Sequence, residues 1–250
     1  MRPRVIPCLL LKGRGLVKTE RFRKPTYIGD PVNTVRIFNE KEVDEIAMLD
    51  IDATIEDRAP QFELIEQVAG EAFMPLAYGG GIRRLDQARR IIGLGVEKVV
   101  LNSVAFDDPG EVRRMAGAIG SQSIVVSVDA KKSLFGRWEV RTRGGRKRTG
   151  REPVAYCAEM QALGAGEILL NSIDREGTMQ GYDLDLIRAV CREVDIPVIA
   201  CGGAGRLEDF SRALRDGGAA AVAAGSLFVF QGRHRAVLIS YPTARELAAL

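Results

Sequence analysis

Short apolar or β-branched runs alternate with longer amphipathic stretches along the whole chain. The runs Val5–Leu11, Glu45–Ile51, Leu76–Tyr78, Lys98–Leu101, Ile124–Asp129, Glu167–Leu170, Val198–Cys201 and Ala220–Ala223 read as strands. Between them, segments such as Pro31–Lys41, Gln61–Ala72, Leu85–Leu94 and Leu184–Glu193 place apolar residues at helical spacing. Such alternation predicts a parallel sheet covered by helices. No linker or composition break interrupts the 250 residues. Eight strand-plus-helix units in that length fit one α/β domain over 1–250, a (β/α)8 TIM barrel, better than an open doubly wound sheet.

The two halves echo each other, approximately 1–120 and 121–250. Tyr78-Gly79-Gly80-Gly81-Ile82 matches Cys201-Gly202-Gly203-Ala204-Gly205, and the segment Val100 to Phe106 matches Val222 to Phe228. Two fused half-barrels follow, with equivalent loops at the rim formed by the C-terminal ends of the strands, where such barrels carry their active sites. One difference stands out: Ser127-Val128-Asp129-Ala130-Lys131 carries an acid where Cys8-Leu9-Leu10-Leu11-Lys12 carries Leu10. An enzyme with one carboxylate from each half would use them as an acid/base pair, and here Asp129 stands alone.

The paired glycine clusters predict two phosphate cradles. Gly80 and Gly81 join Asn102 and Ser103 in one, and Gly202 and Gly203 join Gly225 and Ser226 in the other. Glycine lets backbone N–H groups approach an anion, and a serine hydroxyl completes the shell. The expected ligand is a small molecule with two phosphates, one at each side of the barrel mouth.

Composition narrows the partners. With 46% apolar and 28% charged residues and a net charge of +3, the chain reads as an ordinary cytoplasmic protein without membrane insertion. Met1-Arg2-Pro3-Arg4 leads into a strand rather than an apolar signal region. Cys8, Cys157, Cys191 and Cys201 lack metal or redox spacing, and His234, the single histidine, is expected away from the rim, so neither a metal nor a cofactor is expected. Arg141, Arg143, Arg146, Lys147, Arg148 and Arg151 crowd one segment, read either as a solvated loop or as an anion-binding flap, with Phe135–Thr149 as a hairpin turning at Gly144-Gly145. Aromatic interleaving is limited to Phe135 and Trp138, which argues against nucleic acid.

Nearly the whole chain resembles the cyclase subunit of imidazole glycerol phosphate synthase, a glutamine-dependent lyase of histidine biosynthesis that works beside a glutaminase. The resemblance rests on Gly29-Asp30-Pro31, Asp44-Glu45, Leu49-Asp50-Ile51, Gly79-Gly80-Gly81-Ile82, Gly120-Ser121-Gln122, Val128-Asp129-Ala130-Lys131, Gly164 to Leu170, Ser172-Ile173-Asp174-Arg175, Gly177-Thr178, Gly181-Tyr182-Asp183 and Gly202 to Gly205, in that order. It implies a pair of acids at the ends of strands 1 and 5, matched here by Leu10 and Asp129. It implies substrate contacts at Lys18, Asp50, Asn171 and Glu176, the last two replacing the family's Thr and Asp. It implies an ammonia gate at the opposite rim from Arg4, Glu45, Lys98 and Glu167, with Glu97 facing the glutaminase. A salt-bridge ring of purely structural purpose is the plainer reading of those four charges, but the four matched positions favour the passage.

An intact gate beneath a halved acid/base pair resembles a paralogous branch linked to acetamidino sugars of surface polysaccharides. There the barrel and its glutaminase would deliver ammonia to a separate sugar amidotransferase for amidine formation. The alternatives are an authentic cyclase/lyase of histidine biosynthesis with another group replacing Leu10, a related sugar-phosphate isomerase, or a purely structural barrel. The isomerase also needs the first-strand acid and is disfavoured by the gate, and the structural barrel leaves both cradles unexplained.

Overall fold

Alternation along the first strand shows how the chain builds its layers. The computed structural model describes residues 2–133, 135–232 and 234–250, so Met1 of the opening segment lies outside the described residues. In β1 (Arg4–Lys12), Val5, Leu9 and Leu11 join the layer between sheet and helices. Ile6, Cys8 and Leu10 join a second cluster with Ala47, Ala77, Val100, Val125, Leu169, Ile199, Ala221 and Ala223, which lines the barrel interior. Both faces of the strand are therefore buried, as a covered parallel sheet requires.

Seven further strands complete the sheet: β2 (Ile46–Asp50), β3 (Leu76–Gly79), β4 (Lys98–Leu101), β5 (Ile124–Lys132), β6 (Glu167–Ser172), β7 (Val198–Cys201) and β8 (Ala221–Ala224). Each pairs in parallel with the next, and β8 pairs with β1 from Arg4↔Ala221 to Pro7↔Ala224, which closes the barrel. The expected (β/α)8 architecture is the observed one. β6 runs past its expected end at Leu170 because the β5 register continues to Ala130↔Ser172.

Outer helices follow the strands, among them α1 (Pro31–Glu40), α2 (Phe62–Glu71), α3 (Leu85–Gly93) and α4 (Pro109–Ile119). Gly29-Asp30-Pro31 is a helix start: the Asp30 carboxylate accepts from Asn33 N at 2.9 Å, and Pro31 fills the first turn, where no N–H is needed. Arg84 and Arg206 open corresponding helices half a barrel apart, each followed at the third helical position by a side chain that reaches back, Gln87 or Asp209.

Two hairpins rise from the rim. β5 continues into an antiparallel strand at Trp138–Thr142, with Asp129↔Arg141, and returns through Lys147–Arg148. Its turn passes through Arg143, Gly144 and Gly145, all at positive φ, at the place of the hairpin turn expected at Gly144-Gly145. The second hairpin, Gly15–Glu20 with Arg23–Gly29, extends β1 and is not apparent from the hydrophobic pattern. No helix among the described residues is long and apolar enough to cross a membrane.

Candidate functional site

Asp129 sits at the C-terminal end of β5 and is buried. Asn171 Nδ2, from β6, donates to it at 3.1 Å, and Asn102 Nδ2, just past β4, donates at 3.2 Å. Burial pushes the Asp129 carboxyl up to about 7; the Asn171 bond opposes this, and the charge of Glu176 adds to it. A carboxyl poised there exchanges a proton readily near neutral pH, the property a general acid or base needs.

Leu10 lines the same cavity, a space of about 490 Å³ at the barrel mouth, with its aliphatic side chain buried. Asp50, on the neighbouring strand, does not take its place. Its carboxylate accepts from Ala53 N at 3.0 Å, Asp52 N at 3.2 Å, Gln61 Nε2 at 3.0 Å and Arg58 Nη1 at 3.3 Å, all from the loop and helix that follow β2. Asp50 therefore fixes that loop at the cavity wall.

Lys18 and Glu176 form an ion pair in the mouth, each side chain only 7% exposed. Glu176 also accepts from Thr19 Oγ1 and Phe22 N, both at 3.1 Å, and its carbonyl accepts from Arg21 N at 2.9 Å. These bonds draw the β1 hairpin across the barrel opening. The sequence pattern holds no hint of the pairing, because 158 positions separate the two residues.

The two glycine clusters flank this centre. Gly80 and Gly81 have φ of 114° and 73°, and Gly202 and Gly203 have 86° and 121°. A Cβ on Gly203 would lie 2.3 Å from Gly181 O, so only glycine fits there. The serines differ more than the repeat suggests. Ser103 Oγ already accepts from Arg143 N at 3.1 Å, whereas Ser226 Oγ is buried with no hydrogen-bond partner among the described residues. Asn102 spends its amide on Ser127 O and Asp129 rather than pointing it freely into a cradle.

Most of the basic residues on the flap are occupied. Arg141 and Arg148 pair with Glu139, Arg143 and Lys147 with Asp107, and Arg151 with Glu159. Of that cluster, Arg143 and Arg146 line the cavity, and Arg146 has no carboxylate partner among the described residues. The basic run is thus largely neutralised, by Glu139 within the hairpin and by Asp107 and Glu159 outside it. His234 is exposed, but its segment is not remote from the rim, since Arg235 donates to Gly177 O at 2.9 Å.

At the opposite end of the barrel, four charged residues close a ring. Arg4 bridges Glu45 and Glu167 at 2.5 Å each, and Lys98 Nζ reaches Glu45 at 3.1 Å and Glu167 at 3.0 Å. Glu97, immediately before β4, is exposed beside it. No group of three or more His, Cys, Asp or Glu side chains able to hold a metal occurs among the described residues.

The profile of the family described as "Histidine biosynthesis protein" matches residues 4–234. A Pseudomonas aeruginosa protein named "Putative imidazole glycerol phosphate synthase subunit hisF2" is 52% identical over 247 residues, 99% of this chain and 98% of that one. A Leptospira borgpetersenii protein whose name ends in subunit HisF is 50% identical over 251 residues, covering 100% and 99%. A Vibrio vulnificus protein named with the suffix hisF3 is 47% identical over 247 residues, covering 98% and 95%.

Proposed function

The chain belongs to the imidazole glycerol phosphate synthase cyclase-subunit family, and from that premise we propose that it is an ammonia-conducting barrel that no longer closes the imidazole ring. It partners a glutaminase at the Arg4–Glu45–Lys98–Glu167 rim. Ammonia then passes along the apolar interior toward the mouth, for amidine formation on an acetamido sugar by a separate amidotransferase. The observation that carries the reading is Leu10, an aliphatic side chain where the family's first catalytic acid belongs, above an unbroken charged ring.

Each part has a physical rationale. Ammonia must stay unprotonated to attack, and Ile6, Ala47, Val100, Val125, Leu169 and Ile199 offer it no acid between the ring and the mouth. Losing one member of an acid/base pair removes roughly 10² to 10⁴ in rate, enough to abolish a useful cyclase. The glycine clusters with Ser103 and Ser226 support binding of a phosphorylated small molecule. Relatives carrying the suffixes 2 and 3 are named as additional copies are, which fits a role beside a working cyclase.

The alternative, an authentic cyclase/lyase of histidine biosynthesis, draws support from the retained Asp129 with its carboxyl near 7. One assay separates the two: purified chain with ammonium and the family's diphosphorylated ribotide, with and without Leu10→Asp. No turnover by the unmodified chain, with partial recovery in the substituted one, supports the proposal. Turnover by the unmodified chain at ordinary family rates rejects it.

A further inference from the structure

We propose that Glu176 is a displaceable counter-ion for Lys18, and that a phosphate group entering beside Ser226 takes the ammonium over from it. The inference rests on the reading of Gly202, Gly203 and Ser226 as a phosphate cradle. It adds what drives ligand entry and which residue tunes it.

Three observations converge on this corner of the mouth. The lysine stem runs over the Gly225–Ser226 turn: a Cβ on Gly225 would lie 2.8 Å from Lys18 Cε and 3.0 Å from Cys8 O. Ser226 is only 4% exposed, and its Oγ has no partner among the described residues. A buried hydroxyl without a partner is unfavourable, so this one is built for a ligand that supplies an acceptor. The ammonium nearest that stem is neutralised by a carboxylate on the facing loop.

A buried lysine cannot shed its counter-charge, but it can exchange it. A phosphate monoester offers Lys18 a higher negative charge than Glu176 does, and offers Ser226 Oγ an acceptor in the same step. Glu176 keeps its bonds from Thr19 Oγ1 and Phe22 N, so the hairpin stays across the mouth after Lys18 has turned. Glu176 is therefore a positioning residue that competes with the ligand. Its removal should tighten phosphate binding rather than weaken it.

The test is a double-mutant cycle read by calorimetric titration with inorganic phosphate at pH 7. Glu176→Gln should bind phosphate about tenfold more tightly, the worth of one charge-assisted hydrogen bond. Glu176→Asp, which shortens the reach while keeping the charge, should fall between the two and serves if the Gln variant folds poorly. In a Lys18→Met background, Glu176→Gln should change affinity by less than about twofold. An undiminished effect in that background means the carboxylate acts only as a distant charge and overturns the exchange, as does weaker binding by Glu176→Gln. Ser226→Ala separates the layers: phosphate binding that it weakens, with no response to Glu176→Gln, sinks the exchange alone. Binding that is absent, or indifferent to Ser226, sinks the cradle as well.

Discussion

Replacing Lys98 with Met tests whether the lower ring is a closed electrostatic unit. Two cations and two carboxylates meet there with no net charge, and all four side chains are mostly buried, at 30% exposure for Arg4, 15% for Lys98, 12% for Glu167 and 3% for Glu45. Methionine leaves two carboxylates facing one guanidinium. Breaking a buried pair typically costs 3–5 kcal/mol, and Arg4 still holds both acids at 2.5 Å, so the low end of about 3 kcal/mol is expected. For a chain of this size each kcal/mol lowers the melting temperature by roughly 2–4 °C, which gives a fall of about 6–12 °C. Calorimetric melts of the wild type, Lys98→Met, Glu45→Gln and the double variant provide the measurement. The double variant removes the stranded charge and should regain about 2 kcal/mol relative to the sum of the single losses. Lys98→Met melting within about 2 °C of wild type, or a strictly additive double variant, would refute the reasoning. The same substitution, assayed for product formation, should impair glutamine-dependent more than ammonium-dependent turnover if the ring also gates nitrogen.

Asp129 should leave its mark on the pH dependence of stability. Its folded carboxyl titrates near 7, against 3.8 for the free group, so its contribution is complete below about pH 3.8 and is lost as pH rises through about 7. Urea melts at pH 4.5 and pH 8 should show wild type losing stability relative to Asp129→Asn, with a slope approaching ~1.4 kcal/mol per pH unit inside that window; equal differences at both pH values would contradict the assignment. Gly203→Ala should destabilise by more than about 3 kcal/mol through its contact with Gly181 O, whereas Gly13→Ala, at φ 58° in open space, should lose only about 1 kcal/mol. Chemical denaturation of the two variants side by side decides this, and equal losses would mean that backbone strain alone is at work.

The barrel is legible because each strand repeats one pattern, and the closing pair β8–β1 adds no signal that the alternation lacks. Asp129 and the lower ring are legible from motif order. The β1 hairpin is not, because its turn is made by Arg21 and Phe22 at φ of 52° and 61°, without the glycine or asparagine that usually marks such a turn. The turn is held instead by Glu176, which accepts from both of their backbone N–H groups and stands far away in the chain. The pairing of the basic run is hidden for a related reason: Asp107 and Glu159, which neutralise three of its members, lie outside the segment. Asn102 looks like a cradle residue by repeat spacing, yet the amide turns inward because Asp129 is an acceptor that the matching position of the first half does not offer.

That last asymmetry explains how one end of the barrel changes without disturbing the other. Leu10 pairs with Val17 and Leu49, both aliphatic, so its side chain continues the apolar lining instead of demanding polar partners. In the opposite half, Asp129 needs two carboxamides to stay buried, and both are present. Below these residues, the ring satisfies its own charges within a single layer. The apolar cluster between the two ends carries no hydrogen bond or ion pair from one to the other, since its members are alanines and branched aliphatics with Cys8 and Val17 at the upper edge. Coupling across such a layer would have to travel by packing alone, and an aliphatic residue at position 10 preserves that packing. An aliphatic residue at the mouth and an intact charged ring at the base are therefore physically independent, which is the independence that the proposed loss of ring closure with a retained nitrogen route requires.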